Sequence, residues 1–269
     1  MGEVMKPQQR QLLYAGLTVM LVIIWIFYSA NGPQTTAVLA GTVRAATLLA
    51  LGAMCGMIGE RSGVVNIGIE GQFLLSAFAA FTIASMTGSL FMGTVAGIGM
   101  GLMMGWLLAA MAVGLKVDQI IAGTVLNIAA LGLTSFFYDR SRSLGIGKYT
   151  NIDLGPLADI PLVGTVFFSR PPLTYLTMAL LVVVHIALFR SVWGMRTRAI
   201  GEHPGAADTV GIDVLRLRYL NVTLAGGLAG LGGAYLALEA VGTFSRAMSG
   251  GRGFLALAVM IFGRRTPFG

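Results

Sequence analysis

The run Glu60-Arg-Ser-Gly-Val-Val-Asn-Ile-Gly-Ile-Glu-Gly-Gln72 gathers two carboxylates, a guanidinium and two amides among glycines, beside long apolar stretches. Polar groups at membrane depth are costly and ordinarily face a cavity or a pathway. Asn66, Glu70 and Gln72 offer binding chemistry: amides and a carboxylate can exchange hydrogen bonds with a small polar solute or hold a cation. An ordinary loop with Glu70 just inside the interface fits the same spacing, and both readings stay open. Arg44 and Asn127 fall inside two other apolar stretches. Arg44 suits a pathway or an outward-snorkelling position. Asn127 suits a solute path or a bond to a neighbouring helix. Glu239 could pair with Arg246 or Arg252, as an anchor at the outer interface. His185 suits a hydrogen-bonded core position.

Residues for bond-breaking chemistry are missing. The chain has no Gly-x-x-x-x-Gly-Lys-[Ser/Thr] phosphate loop, no Gly-x-Ser-x-Gly elbow and no His-Glu-x-x-His pair. One cysteine, Cys55, and two histidines support neither a disulfide framework nor a metal cluster. The methionines read as apolar filling. The chain is therefore expected not to be an enzyme and to carry no cofactor of its own.

The elements that must position these residues follow from composition. Of 269 residues, 56% are hydrophobic and 11% charged, against about 25% charged in soluble domains. A soluble globule or a disordered chain does not have this balance. The reading is an all-α, polytopic helical membrane protein with about eight transmembrane segments, some broken or re-entrant. The segments are Leu12–Ala30, Thr36–Ile58, Ile69–Met86, Phe91–Leu115, Gln119–Tyr138, Leu173–Phe189, Tyr219–Ala240 and a short Gly253–Gly263. Gly93, Gly97, Gly101 and Gly105 recur at four-residue spacing, a small-residue face for close helix packing. Asn66 is expected to cap the third segment, with Glu70 in its first turn.

The net charge of +7 has no basic run interleaved with aromatics, so no nucleic-acid partner is expected. Placing the N-terminus in the cytoplasm puts Arg190, Arg196, Arg198, Arg216 and Arg218 inside, as the positive-inside rule requires. Residues 190–218 then form a cytoplasmic connector and 139–172 an external loop of mixed charge, with Asp139, Arg140, Arg142 and Asp159 among its residues. In the connector, Pro204 can open a short helix and Gly211 can end it. The chain reads as a single membrane domain, 1–269. Its last residues, Thr266-Pro-Phe-Gly269, follow a basic pair and cap nothing, so the fold is expected to continue into further helices.

Three motifs carry a resemblance. The run 60–72 resembles the signature of ABC-importer permeases of the branched-chain amino acid/simple-sugar superfamily, in particular the nucleoside-type permeases that work with basic membrane lipoproteins. Ala206-Ala207 followed by Gly211-Ile212 resembles the family's coupling helix, although His203 stands where the family more often has Asn and Gly205 where it often has a larger or basic residue. The stretch Ser249–Gly269 resembles its C-terminal signature, which would place Arg252 near the outer mouth or the pathway.

The resemblance implies a permease subunit of an ATP-driven importer for nucleosides or related simple sugars in a bacterial or archaeal cytoplasmic membrane. It implies ATPase subunits that hold ATP-Mg, a second permease subunit, alike or homologous, and an external substrate-binding protein or lipoprotein. Membrane lipid surrounds the whole. Gly201, Glu202, His203, Pro204, Ala206, Ala207 and Gly211 would couple to the ATPase. Arg44, Asn66, Glu70, Gln72 and Asn127 would line the path. The residues alone also allow a transporter driven by an ion gradient, with Asn66, Glu70 and Asn127 as ion ligands.

Overall fold

The computed structural model describes residues 7–138, 145, 147–153, 155–158 and 160–267. Asp139, Arg140, Arg142 and Asp159 of the external loop, and the terminal Phe268 and Gly269, lie outside the described residues. Ten α-helices follow one another: α1 (Pro7–Ala30), α2 (Gly32–Arg61), α3 (Ile69–Thr87), α4 (Leu90–Ala109), α5 (Gln119–Phe137), α6 (Pro172–Arg190), α7 (Val192–Glu202), α8 (Pro204–Thr209), α9 (Val214–Ala234) and α10 (Arg252–Phe262). Two of them run on into wider π-helical turns, α4 through Ala110–Gly114 and α9 through Tyr235–Val241.

Among the described residues, six helical spans are long and apolar enough to cross a membrane: Gly32–Arg61, Ile69–Thr87, Leu90–Gly114, Gln119–Phe137, Pro172–Arg190 and Val214–Val241. Thr18–Ala30 and Arg252–Phe262 are shorter apolar helical stretches. The chain is thus a polytopic helical membrane protein. Six of the expected segments have full crossing length, and the last is a half-length helix.

The chain divides into two compact units. One holds α1, the start of α2 and residues 152–170. In it β1 (Ile152–Asp153) pairs antiparallel with β2 (Ser169–Arg170), Ile152 facing Arg170. Arg170, buried, donates through Nε to the Val166 carbonyl (2.6 Å) and through Nη1 to that of Ala40 (3.2 Å).

The other unit holds the remainder, with α3, α4 and α9 at its centre. The glycine stripe of α4 explains why. A Cβ built on Gly101 would stand 2.3 Å from the Gly226 carbonyl and 2.4 Å from the Gly230 Cα, and one on Gly105 would stand 2.7 Å from the Val222 carbonyl. Helices approach this closely only where side chains are absent. Phe73, Leu51, Ile69, Tyr235 and Leu236 fill the layer beside them.

Helix ends are satisfied by side chains. Ser89, Asp118, Ser191 and Asp213 accept from backbone amides at the starts of α4, α5, α7 and α9. The start of α6 is capped from a distance. Buried Glu239 accepts from the Leu173 amide (2.8 Å), the Thr174 amide (3.1 Å) and the Thr174 hydroxyl. This replaces the expected outer anchor paired with Arg246 or Arg252. Two orphan helix donors attract the carboxylate, and the site is dry.

Candidate functional site

Between α2 and α3 the helix breaks. Residues 62–68 are non-helical, and their backbone groups must find partners because no water reaches that depth unless the segment lines a cavity. The Ser62, Gly63 and Val64 amides turn back to carbonyls of α2, and beyond α2 the partners come mainly from α5. Gln119 Oε1 accepts from the Val65 amide (2.7 Å). Asn127 donates to the Ile67 carbonyl (3.0 Å) and accepts from the Gly71 amide (2.7 Å). Gly123 of α5 lets Gly68 approach so closely that a Cβ would stand 2.8 Å from the Gly68 nitrogen. Asn127 therefore ties the break and the start of α3 to α5. Asn127→Ala strands an amide and a carbonyl together. It is expected to cost about 2 kcal/mol, read as a lowered unfolding midpoint of the detergent-solubilised protein.

Asn66 does not cap α3. The helix starts at Ile69 with Gly68 at its N-cap, and Asn66 turns inward. Its Nδ2 donates to Gln72 Oε1 (3.1 Å) and to Cys55 Sγ (3.4 Å). Asn66 and Gln72 are both buried. Among the described residues, Asn66 Oδ1, Gln72 Nε2 and the nearby Ser76 hydroxyl are buried without a hydrogen-bond partner. The missing cap reflects a competition: an amide one turn into α3 and a thiol on α2 hold the asparagine more fully than one free helix amide would.

Glu70 sits in the first turn of α3, half-buried. Its oxygens accept from the amides of Gly251 and Gly253, each at 2.7 Å. Glu70 thus caps the start of α10, where an anion meets the positive helix end. At its other end α10 runs into Arg265, which pairs with Glu60 at 2.8 Å, while Arg61 donates to the Arg265 carbonyl at 3.1 Å. The 11 residues of α10 rise ~16 Å, about half a ~30 Å hydrocarbon core. Arg61 and Glu70 are therefore separated by about half a membrane, and the break carries the chain across that distance. A cavity of about 290 Å³ adjoins this point, lined by Glu70, Gly71, Asn127, Ser249, Gly250 and Phe254 among others. A half-helix start, the end of the broken segment and a cavity thus meet near Glu70.

Arg44 does not join them. It is exposed on α2, 11 residues before Cys55 and so ~16 Å away along the helix. Its carbonyl accepts from the Tyr235 hydroxyl (2.7 Å).

The connector forms two helices. The segment Gly201–Glu202 ends α7, His203 stands between the helices without capping α8 by its side chain, Pro204 opens α8 and Gly211 follows it. Pro204, Gly205, Ala206, Asp208, Thr209 and Val210 are exposed, whereas Ala207 is 4% exposed. An open groove of about 570 Å³ runs beside α8. Ala207 packs the helix onto its own chain, and Ala206 and Val210 lie on its exposed face.

Comparison with known proteins agrees with this layout. Residues 38–269 match the family model described as "Branched-chain amino acid transport system / permease component". The chain belongs to that permease family. It is 37% identical to a nucleoside ABC transporter permease protein of Lactococcus lactis, over 80% of this chain and 71% of that one. It is 35% identical to a guanosine ABC transporter permease protein of Bacillus subtilis, over 82% and 73%. It is 36% identical to a "putative glucose ABC transporter permease protein" of Haloferax volcanii, over 84% and 70%. No solved structure matches the permease. Family membership makes the chain a multi-pass transport component of an ABC importer, working with ATPase and solute-binding components. Sequence reasoning missed Gln119 and gave Arg218 and Glu239 other roles, because their partners are mostly backbone groups far along the chain and leave no pattern.

Proposed function

We propose that this permease moves nucleosides or related simple sugars inward across a prokaryotic cytoplasmic membrane, driven by ATP hydrolysed on separate subunits that hold ATP-Mg. The N-terminus lies inside, two permease subunits enclose the path, and an external receptor delivers the solute. The observation that carries this reading is the polar break. Residues 62–72 run from the connector side to half-membrane depth, where Asn66 Oδ1 and Gln72 Nε2 lack partners. An unused acceptor beside an unused donor is what a ribose hydroxyl or a base edge would meet when the path opens. Glu70 and Asn127 hold the walls of the site, and Arg44 acts away from it, at the outer part of α2. Likeness to nucleoside and guanosine permeases supports a ribose-bearing solute, and likeness to a putative glucose permease supports a simple sugar.

Uptake of a labelled nucleoside into proteoliposomes, in competition with nucleosides, free bases, ribose, glucose and galactose, tests the solute. Nucleosides should displace the label, and absence of saturable nucleoside uptake together with uptake of labelled glucose would reject the nucleoside reading in favour of a sugar.

The exposed face of α8 is the docking element for the ATPase. Ala206→Glu adds a charge to that face without entering the core. It is expected to weaken ATPase retention during purification about tenfold or more, the effect of losing ~1.4 kcal/mol. Unchanged retention and uptake would remove α8 from the docking surface.

A further inference from the structure

One side chain joins the connector to the break. Arg218, near the start of α9, donates through Nε to the Ser62 carbonyl at 3.0 Å and through Nη2 to the Ile200 carbonyl at 3.1 Å. Ser62 is the first residue beyond α2, and Ile200 lies in the last turn of α7. Carbonyls at such positions lack helical partners and carry the negative end of the helix dipole. The guanidinium therefore bridges the C-terminal ends of two helices that are otherwise far apart in sequence. A planar fork with several donors can do this.

The surrounding backbone is shaped to keep the bridge short. A Cβ on Gly201 would stand 2.2 Å from the Arg61 carbonyl. Gly63 has φ +83°, and a Cβ there would stand 2.8 Å from Arg218 Nη2. On the connector side, α7 is fixed to α9. Trp193 donates to Asn221 Oδ1 (2.9 Å), and Asn221 donates to the Thr197 hydroxyl (3.1 Å), with Asn221 and Thr197 fully buried. Helices α7 and α9 are thus bound together, and α8 hangs between them. On the other side, Ser62 is four residues from Asn66, whose Oδ1, like Gln72 Nε2, has no hydrogen-bond partner.

We propose that Arg218 is the positioning residue that carries displacement of α8 into the 62–68 break, and so opens or closes the Asn66–Gln72 site. The proposal rests on the reading of α8 as the docking helix. The residue touches no solute. It sets whether movement at the connector reaches the polar site or dissipates in the loop. Coupling between two sites of a protein is typically worth about 5-fold or more.

The test uses the assembled importer in proteoliposomes, with three readouts: ATPase retained, ATP hydrolysed and solute taken up. Arg218→Ala should keep the ATPase bound and hydrolysing while uptake per ATP falls about fivefold or more. Arg218→Lys, which keeps the charge but replaces the fork with a single point, should recover part of that ratio. A purely structural role would lower assembly, hydrolysis and uptake together and leave the ratio unchanged. An unchanged ratio in Arg218→Ala overturns the proposal. Should that variant not assemble, Arg218→Lys decides: a reduced ratio supports the bridge, and an unchanged one overturns it. Ala206→Glu, run in parallel, reports on the docking helix separately, because its failure shows as unaltered ATPase retention whatever Arg218 does.

Discussion

Replacing Gly101 with valine is expected to deplete the folded protein more than any other single change considered. The added Cβ alone would stand 2.3 Å from the Gly226 carbonyl and 2.4 Å from the Gly230 Cα. Both neighbours are backbone, so neither can rotate away, and the two helices must separate along their length. In lipid, helix association depends on this packing, because apolar side chains gain little by leaving the lipid for a partner helix. Overpacking costs about 1–3 kcal/mol, and backbone-to-backbone contact places Gly101→Val at the upper end. A loss of about 3 kcal/mol lowers the midpoint by roughly 6–12 °C for a chain of this size. Thermal unfolding in detergent measures it. Gly99→Val is the control, since nothing lies within 4 Å of a Cβ there. It should stay within about 0.5 kcal/mol. Equal loss in both variants would mean that helix propensity, not the α4–α9 contact, sets the stability.

Glu70→Gln is expected to have the next largest effect. The variant keeps the size of the side chain but puts an amide nitrogen, which cannot accept, where one carboxylate oxygen was. Either the Gly251 or the Gly253 amide then loses its acceptor, and the anion at the start of α10 is gone. A hydrogen bond to a charged group is worth about 1.5–3 kcal/mol, and charge at a helix end about 0.3–1 kcal/mol. Together they make about 3 kcal/mol. Because α10 spans from Glu70 to the Glu60–Arg265 pair, loosening its upper end disorders the wall of the cavity. Uptake should fall about tenfold or more with the ATPase still bound, and the unfolding midpoint should drop with it. If Glu70 instead held the solute directly, KM would rise while the midpoint stayed unchanged.

Much of this layout is legible in the residues. The apolar stretches, the glycine stripe at 93–105, the polar interruption at 60–72 and the short helix after Pro204 all follow from local pattern, and local pattern reflects local geometry. Pairings across the chain do not. Glu70 meets residues about 180 positions away and Glu239 meets the start of α6, yet each binds backbone amides, which every residue carries. Nothing in the side-chain sequence marks the receiving end. For the same reason Asn66 suits a cap when only its neighbours are considered. Cys55 and Gln72, brought close by the fold, draw it inward. Ala207 and Ala206 are equivalent by composition, and only the packing of α8 on its own chain separates the buried one from the exposed one. Arg44 stood out because charge is scarce, and the fold leaves it exposed and away from the break.

The most direct measurement is uptake of a labelled nucleoside into sealed proteoliposomes that hold this permease, its ATPase subunits and its receptor. The energy source is supplied either as ATP-Mg on the ATPase side or as a proton or sodium gradient without nucleotide. Glu70 has both oxygens engaged by backbone amides, so an ion bound there would have to displace two helix-start donors. Accumulation should therefore require ATP and ignore the gradients. Accumulation driven by a gradient in vesicles without ATP would contradict it.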